Sequence, residues 1–351
     1  MYRGLFLIYG VKVTLTTNNM EFKNFVLATL QNYDNKTPDY KFKIDVCIEF
    51  NKDSQIKKSK FRVGNGIFLD DTDKKIAIQH KLFLGEFIKN SDDNLKIRGE
   101  VRHTIKKTIK NAIKSIAIKN YSYKEMLFHQ LYRELVLMPV FWVLRNKFGK
   151  YLMHASAVSH KKQTLVFLGN DGVGKTTIAL KLLKNEGSLF FGDNFLLYDS
   201  NKIHPFIDTL RVNKKDITAI KSYEGSPVFK KVYEGKSRTH FNFNLDYVSE
   251  SATPTHFFVL KQSSKNYKTT ITKDQFINHT LAINDYVKEF DNYSYASNLI
   301  FLYDVHFNVK EQETKFLSKL VDVFKISSGD NNFYELIKFC ASFKKPLIIS
   351  T

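Results

Sequence analysis

The chain has 351 residues, 43% of them hydrophobic and 14% aromatic, which is enough apolar material for one large core or two ordinary ones and excludes a wholly disordered protein. Its two cysteines, Cys47 and Cys340, lie in no Cys-x-x-Cys or Cys/His cluster, so a disulfide framework and a structural zinc site are excluded and a reducing, cytoplasmic setting is expected. The formal charge of +19 raises nucleic acid or an anionic surface as a partner, but only eight of the 54 cations are Arg. The rest are lysines scattered among Asn and Ile, a usage that also fits an AT-rich genome, so nucleic acid is not the expected partner.

From the N-terminus, MYRGLFLIYGVKVTL has one early Arg but is interrupted by Gly4 and Gly10, and alternation from Val11 to Leu15 predicts a strand, not a signal peptide. KFKIDVCIEF and KFRVGNGIFLDD add short strands punctuated by Asn, Asp and Gly. Residues 1–120 therefore read as a smaller, β-rich α+β domain, with acceptor or partner recognition as its expected role. Within it, HTIKKTIKNAIKSIAIKN at 103–120 sets Ile105, Ile109, Ile113 and Ile116 at helical spacing among lysines, either a solvated basic face or a docking face for an acidic partner. The apolar stretch from 126 to 144 contains His129, Arg133, Glu134 and Pro139, which falls short of a membrane span and predicts a buried helix kinked or broken at Pro139.

A second domain is expected over residues 121–351, built around LVFLGNDGVGKTT at 165–177. LMHASAV at 152–158 predicts a strand that turns through SHKKQ into the strand before Gly169, and TTIALKLLKN has helical spacing at Ile178, Leu180, Leu182 and Leu183. Strand, glycine-rich turn and helix thus come in the order of a P-loop. The expected nucleotide contacts are Gly169, Asn170, Asp171, Gly172, Val173, Gly174, Lys175, Thr176 and Thr177. Glycines let backbone N–H groups wrap the β-phosphate, Lys175 reaches the β and γ oxygens, and the Thr176 hydroxyl is placed to ligate Mg²⁺. The expected cofactors are ATP and Mg²⁺.

Neighbouring side chains decide what happens to the γ-phosphate. Asp193, seventeen residues after Thr176 in SLFFGDNFLLYD, follows an apolar run and is the expected catalytic acid and second metal ligand; Asp304, at the end of NLIFLYD, is the alternative. His154 lies on the strand entering the loop hairpin and is a further catalytic candidate. Only two arginines follow the loop, Arg211 and Arg238, and either could clamp transferring phosphate; Arg211 is taken as the catalytic one. Residues 213–216 read NKKD, a guanine-reading pattern, but no apolar strand precedes it and no Asp-x-x-Gly switch lies between it and the loop, so a GTPase is not expected.

With His154 fifteen residues before Gly169, then GNDGVGKTT, then an apolar strand ending in GDN, the region from about 148 to 200 resembles the HPr serine kinase family and its relatives. That resemblance implies a mixed-sheet P-loop α/β fold related to phosphoenolpyruvate carboxykinase, ATP as donor, Mg²⁺ as cofactor and a hydroxyl acceptor. It matches Asp193 to the family's catalytic acid and His154 to its conserved histidine. The family's second acid is Asn194 here, and its later glycine-rich signature has no counterpart.

The leading expectation is an ATP- and Mg²⁺-dependent kinase that transfers the γ-phosphate to a serine-like hydroxyl of a peptide, protein or small molecule. The alternatives are a nucleotide-gated binding protein, motivated by Asn194, and an ATPase with little or no phosphotransfer acting on nucleic acid, motivated by the charge. The sequence leaves oligomeric state, including a homo-oligomer, open.

Overall fold

The computed structural model describes residues 1–30, 33, 39–50, 56, 61–64, 67–70, 75–79, 82–91, 94–101, 123–262, 267–269, 271–286 and 347–350. These form a mixed α/β protein with several separate sheets. They divide into two compact units, one drawn from 1–148 and 209–242, the other from 149–208, 243–286 and 347–350. The basic segment at 103–120, Asp304 with its NLIFLYD run, and the expected C-terminal helices in FLSKLVDVF and NNFYELIKFCASF lie outside the described residues.

The first unit begins with β1 (Tyr2–Ile8) and β2 (Val11–Thr17), an antiparallel hairpin. Tyr9 and Gly10 both have positive φ, 49° and 84°, the backbone that a two-residue turn needs to follow the twist of its strands. Asn19 caps the helix Met20–Leu30 by accepting the Phe22 N–H at 2.9 Å. That helix carries the chain over to β3 (Phe42–Phe50), parallel to β2, whose strict alternation buries Phe42, Ile44, Val46, Ile48 and Phe50. Strands β4 (Phe61–Gly64), β5 (Ile67–Asp70), β6 (Lys75–Gln79), β7 (Phe83–Ser91) and β8 (Asn94–Val101) then run antiparallel to one another, and β8 returns in parallel beside β3. The result is an eight-stranded sheet of order β1-β2-β3-β8-β7-β6-β5-β4.

Residues 123–148 are helical throughout, as Tyr123–Tyr132, a π-helical turn Arg133–Leu137, and Met138–Phe148. Pro139 lacks an N–H and its ring crowds the carbonyl four residues back, which belongs to Leu135 inside the π turn. The expected break is thus absorbed as one wider turn. No helix among the described residues is long and apolar enough to cross a membrane.

This π turn also fits the sheet. Gly85 and Gly99 face each other across β7 and β8, and a Cβ at Gly99 would lie 2.5 Å from Leu135 Cδ1 and 3.3 Å from Ile48 Cγ1. The paired glycines leave the notch that Leu135, fully buried, fills. Gly99→Ala is expected to destabilise the protein by about 1–3 kcal/mol through overpacking, measured as a lower urea midpoint. Adding Leu135→Ala to Gly99→Ala should cost less than the sum of the two single changes, because the 2.5 Å clash with Leu135 is then gone and only the looser approach to Ile48 is left.

The second unit opens with β9 (Tyr151–Met153) and β10 (Ala155–His160), interrupted at His154, followed by β11 (Gln163–Leu168). The expected turn through SHKKQ is the β10–β11 hairpin, with Lys161 and Lys162 at φ 48° and 65°. After the helix Lys175–Leu182 come β12 (Leu189–Gly192), β13 (Leu196–Tyr198) and β14 (Ile203–His204). The chain next supplies the first unit with β15 (Leu210–Asn213), the helix Ile217–Glu224, β16 (Phe229–Glu234) and β17 (Arg238–Phe243), a small sheet of order β15-β17-β16. Strands β18 (His256–Gln262), β19 (Tyr267–Thr269) and β20 (Leu347–Ser350), with the helix Lys273–Tyr286, complete the second unit. Its main sheet has the order β12-β10-β11-β18-β20-β19, with β11 parallel to β18 and antiparallel to β10.

Candidate functional site

The site grows from the end of β11, where apolar burial stops at Leu168 and the chain turns through 169–174 into the helix Lys175–Leu182. Gly169 sits at φ 148°, and a Cβ there would meet the Leu260 carbonyl oxygen at 2.6 Å and Val173 Cγ2 at 2.8 Å, so the loop can start only with glycine. Val173 anchors the loop from inside, packed with Leu165, Phe167, Ile178, Phe258 and Leu260. Asn170, Asp171, Gly172 and Thr177 face solvent. Gly174 precedes the helix at φ 102°, and its carbonyl accepts the Ile178 N–H at 3.0 Å.

Lys175 starts the helix yet is only 5% exposed. Its Nζ donates to the carbonyls of Gly169 at 2.7 Å and Asn170 at 3.1 Å, and lies 3.1 Å from His154 Nε2. Burial holds its pKa below the usual lysine value, opposed by the charges of Asp171 and Asp193.

His154, 3% exposed, sits where β9 breaks from β10, and its backbone N–H donates to Asn284 Oδ1 at 3.0 Å. The Asn284 amide also donates to the Leu152 carbonyl at 3.0 Å, tying the helix Lys273–Tyr286 to this strand break. His154 Nε2 lies 3.2 Å from Asp171 Oδ1 as well as near Lys175, and one ring nitrogen can serve only one of them. Burial first, then the Lys175 charge, lower the His154 pKa and keep the ring neutral. A neutral ring accepting from Lys175 carries its proton on Nδ1, which is buried without a hydrogen-bond partner among the described residues. Asp171, whose side chain is 79% exposed, is the member with water as an alternative.

Asp193 follows β12 directly. Its Oδ1 accepts from the Thr176 hydroxyl at 2.7 Å and from the Ser156 hydroxyl in a short hydrogen bond. Gly192 makes this approach feasible: a Cβ there would lie 2.6 Å from the Phe206 carbonyl oxygen and 2.7 Å from that of Phe195, at φ 157°. Asn194 follows in a left-handed conformation, φ 68°.

His154, Asp171, Lys175, Thr176 and Asp193 thus form one connected cluster within the second unit. Arg211 lies in the first unit, where its guanidinium donates to His129 Nε2, and Arg238 is on β17 of the same unit. Two residues of the cluster were not anticipated. Ser156 follows His154 by two positions on an extended segment, so period-two alternation points it to the same side and could have found it. Asn284 lies 130 residues from His154, and nothing local in the sequence links them.

Oxygen donors at Thr176 and Asp193 fit a small hard cation such as Mg²⁺, which uses one or two protein oxygens and takes the rest from water and phosphate. Among the described residues no group of three or more His, Cys, Asp or Glu gathers that could hold a metal ion.

Residues 247–351 match the family model described as NeuB family, less than a third of the chain. No curated protein matches the sequence. The NeuB match corrects the resemblance to HPr serine kinases drawn from residues 148–200: the serine-kinase assignment, its phosphotransferase activity and the description of the chain as a P-loop kinase fall with it. The physical reason is that a histidine, a glycine-rich turn and a strand-end aspartate make a local backbone arrangement. Such arrangements recur on chains of unrelated activity.

Proposed function

We propose that the loop 169–174, with Lys175, Thr176, His154 and Asp193, binds the phosphates of Mg²⁺-ATP, and that the protein is a nucleotide-responsive binding protein with slow or no turnover. One observation carries the reading. Lys175 is a buried ammonium at a helix N-terminus whose hydrogen-bond partners are two carbonyls and an imidazole, with no carboxylate in ion-pair contact among the described residues. A buried cation with neutral partners is costly, and a phosphate group would relieve that cost while meeting the helix N-terminus.

Thr176 and Asp193 would hold the Mg²⁺, whose contribution when bound is to neutralise charge on the phosphate oxygens. Slow turnover is supported by the acid side of the site. Asp193 Oδ1 is already engaged by two hydroxyls, and the next side chain is the amide of Asn194, which cannot take a proton as a carboxylate can.

Incubation with γ-labelled ATP and Mg²⁺ is expected to give saturable binding with little phosphate release. Asp193→Asn is expected to keep ATP affinity within about tenfold, a loss of up to about 1.4 kcal/mol, while removing the dependence of binding on Mg²⁺. Rapid multiple turnover by the wild type, or a Mg²⁺ dependence unchanged in Asp193→Asn, would contradict this reading.

The NeuB match favours a second reading, a sialic acid synthase-type activity. A sialic acid product detected by mass spectrometry after incubation with host extract, together with failure to bind ATP, would select it.

A further inference from the structure

The first unit holds a second concentration of chemistry-bearing side chains. Strands β15 and β17 are antiparallel, with Arg211 directly opposite His240 and Asn213 opposite Arg238. From the helix Tyr123–Tyr132, His129 reaches the same place and accepts a hydrogen bond from Arg211 Nη1 at its Nε2. His240 is 5% exposed and is held edge-on by Tyr233 and Phe25, with ring centroids 5.2 and 5.8 Å away. Its Nδ1 is buried with no hydrogen-bond partner among the described residues.

Three features of this cluster point to an anion. Arg211 spends its observed hydrogen bond on a neutral imidazole and has no carboxylate in ion-pair contact among the described residues. The charges of Arg211 and Arg238 act on both histidines, and that of Arg133 on His129, so positive charge converges on one buried spot. The nearby carboxylate of Glu125 is turned to the Ser237 hydroxyl and N–H, not to Arg211.

We infer that Arg211, His129 and His240 form a binding site for a phosphate-type oxyanion. The donors would be the Arg211 guanidinium N–H groups not given to His129, whose Nε2 holds the fork in place, and an N–H of His240 on the paired strand. They come from two paired strands, and several N–H groups suit the three or more oxygens of a phosphate better than the two of a carboxylate. Because the histidines are neutral, the site offers directed N–H groups of Arg211 and His240 within the positive field of Arg211, Arg238 and Arg133.

The test is a titration of the full-length protein with inorganic phosphate at pH 7, following the ring resonances of isotope-labelled histidine. Lys175→Ala is used alongside the wild type so that phosphate at the loop 169–174 does not contribute. A saturable shift of the His240 ring in both proteins is expected, weakened at least tenfold by Arg211→Gln. Arg211→Lys keeps the charge without the fork and is expected to weaken it less. Acetate should give no comparable shift. The inference is overturned by absence of a saturable His240 shift in the wild type, by equal affinity in the wild type and both Arg211 variants, or by acetate shifting the ring as strongly as phosphate.

Discussion

Lys175→Ala is expected to weaken Mg²⁺-ATP binding by a hundredfold or more, about 2.7 kcal/mol or greater. The ammonium is the one charged donor that the loop turns inward, held by the Gly169 and Asn170 carbonyls at 2.7 and 3.1 Å. Hydrogen bonds from charged donors contribute more than neutral ones, and a bound triphosphate has no substitute for this one in a half-buried loop. Equilibrium dialysis with labelled ATP measures the effect directly. Thermal unfolding gives an independent reading, since a ligand present at a hundred times its Kd stabilises the folded state by about 2.7 kcal/mol. The wild type should gain that increment and the variant should not. Lys175 is not one of the hydrophobic residues of the cluster of Leu165, Phe167, Val173, Ile178, Phe258 and Leu260 beneath the loop, so its removal keeps that core's members, and unfolding of the ligand-free variant checks that the fold is retained.

The second large effect concerns acid. Burial, followed by the charges of Arg211 and its neighbours, lowers the pKa of His129 to about 2 and of His240 to about 3. Unfolded, both return to about 6.5. Between these values the unfolded chain binds more protons than the folded one, so stability is full above about pH 6.5 and falls as pH drops toward the folded values. From pH 7 to pH 5 each histidine should cost about 2 kcal/mol, as an order of magnitude. His154 and His204 are shifted in the same direction by burial and add to the slope. Urea unfolding at pH 7, 6 and 5 measures the total, and His240→Gln isolates one share, since a neutral amide does not titrate. A pH-independent midpoint, or an unchanged slope in His240→Gln, would contradict the assignment. Phosphate at the site inferred above should flatten the same slope, because a bound anion makes protonation of these rings less costly.

Local pattern explains what could be read from the sequence. Alternation marks β2 and β3 because one face of each is buried, and the glycine-rich turn announces itself because Gly169 stands where a Cβ would strike a carbonyl oxygen and Gly172 and Gly174 take positive φ. Lys175, Thr176 and Asp193 could be named because strand, loop and helix fix their spacing, and the structure does bring Thr176 to Asp193 at 2.7 Å.

Partners set by tertiary packing were not legible. Asn284 reaches the His154 N–H from a helix far along the chain, and no local spacing encodes that contact. The π turn ahead of Pro139 packs its Leu135 into the glycine notch of β7 and β8, and the chain stays helical where proline alone predicts a kink or break. Arg211 drew attention as an arginine downstream of the loop, but its observed partner is His129, a residue that the sequence offered only as a polar interruption in an apolar helix. The family resemblance failed for a related reason. It rested on a short segment, whereas the family model matches residues 247–351.

Amide NMR of the full-length protein, labelled at glycine and lysine and titrated with Mg²⁺-ATP, tests the central claim most directly. The account predicts saturable shifts of the Gly172, Gly174 and Lys175 backbone N–H signals with Mg²⁺-ATP, absent with adenosine and lost in Lys175→Ala. Loop signals that stay unmoved at millimolar Mg²⁺-ATP, or that move equally with adenosine, would contradict it.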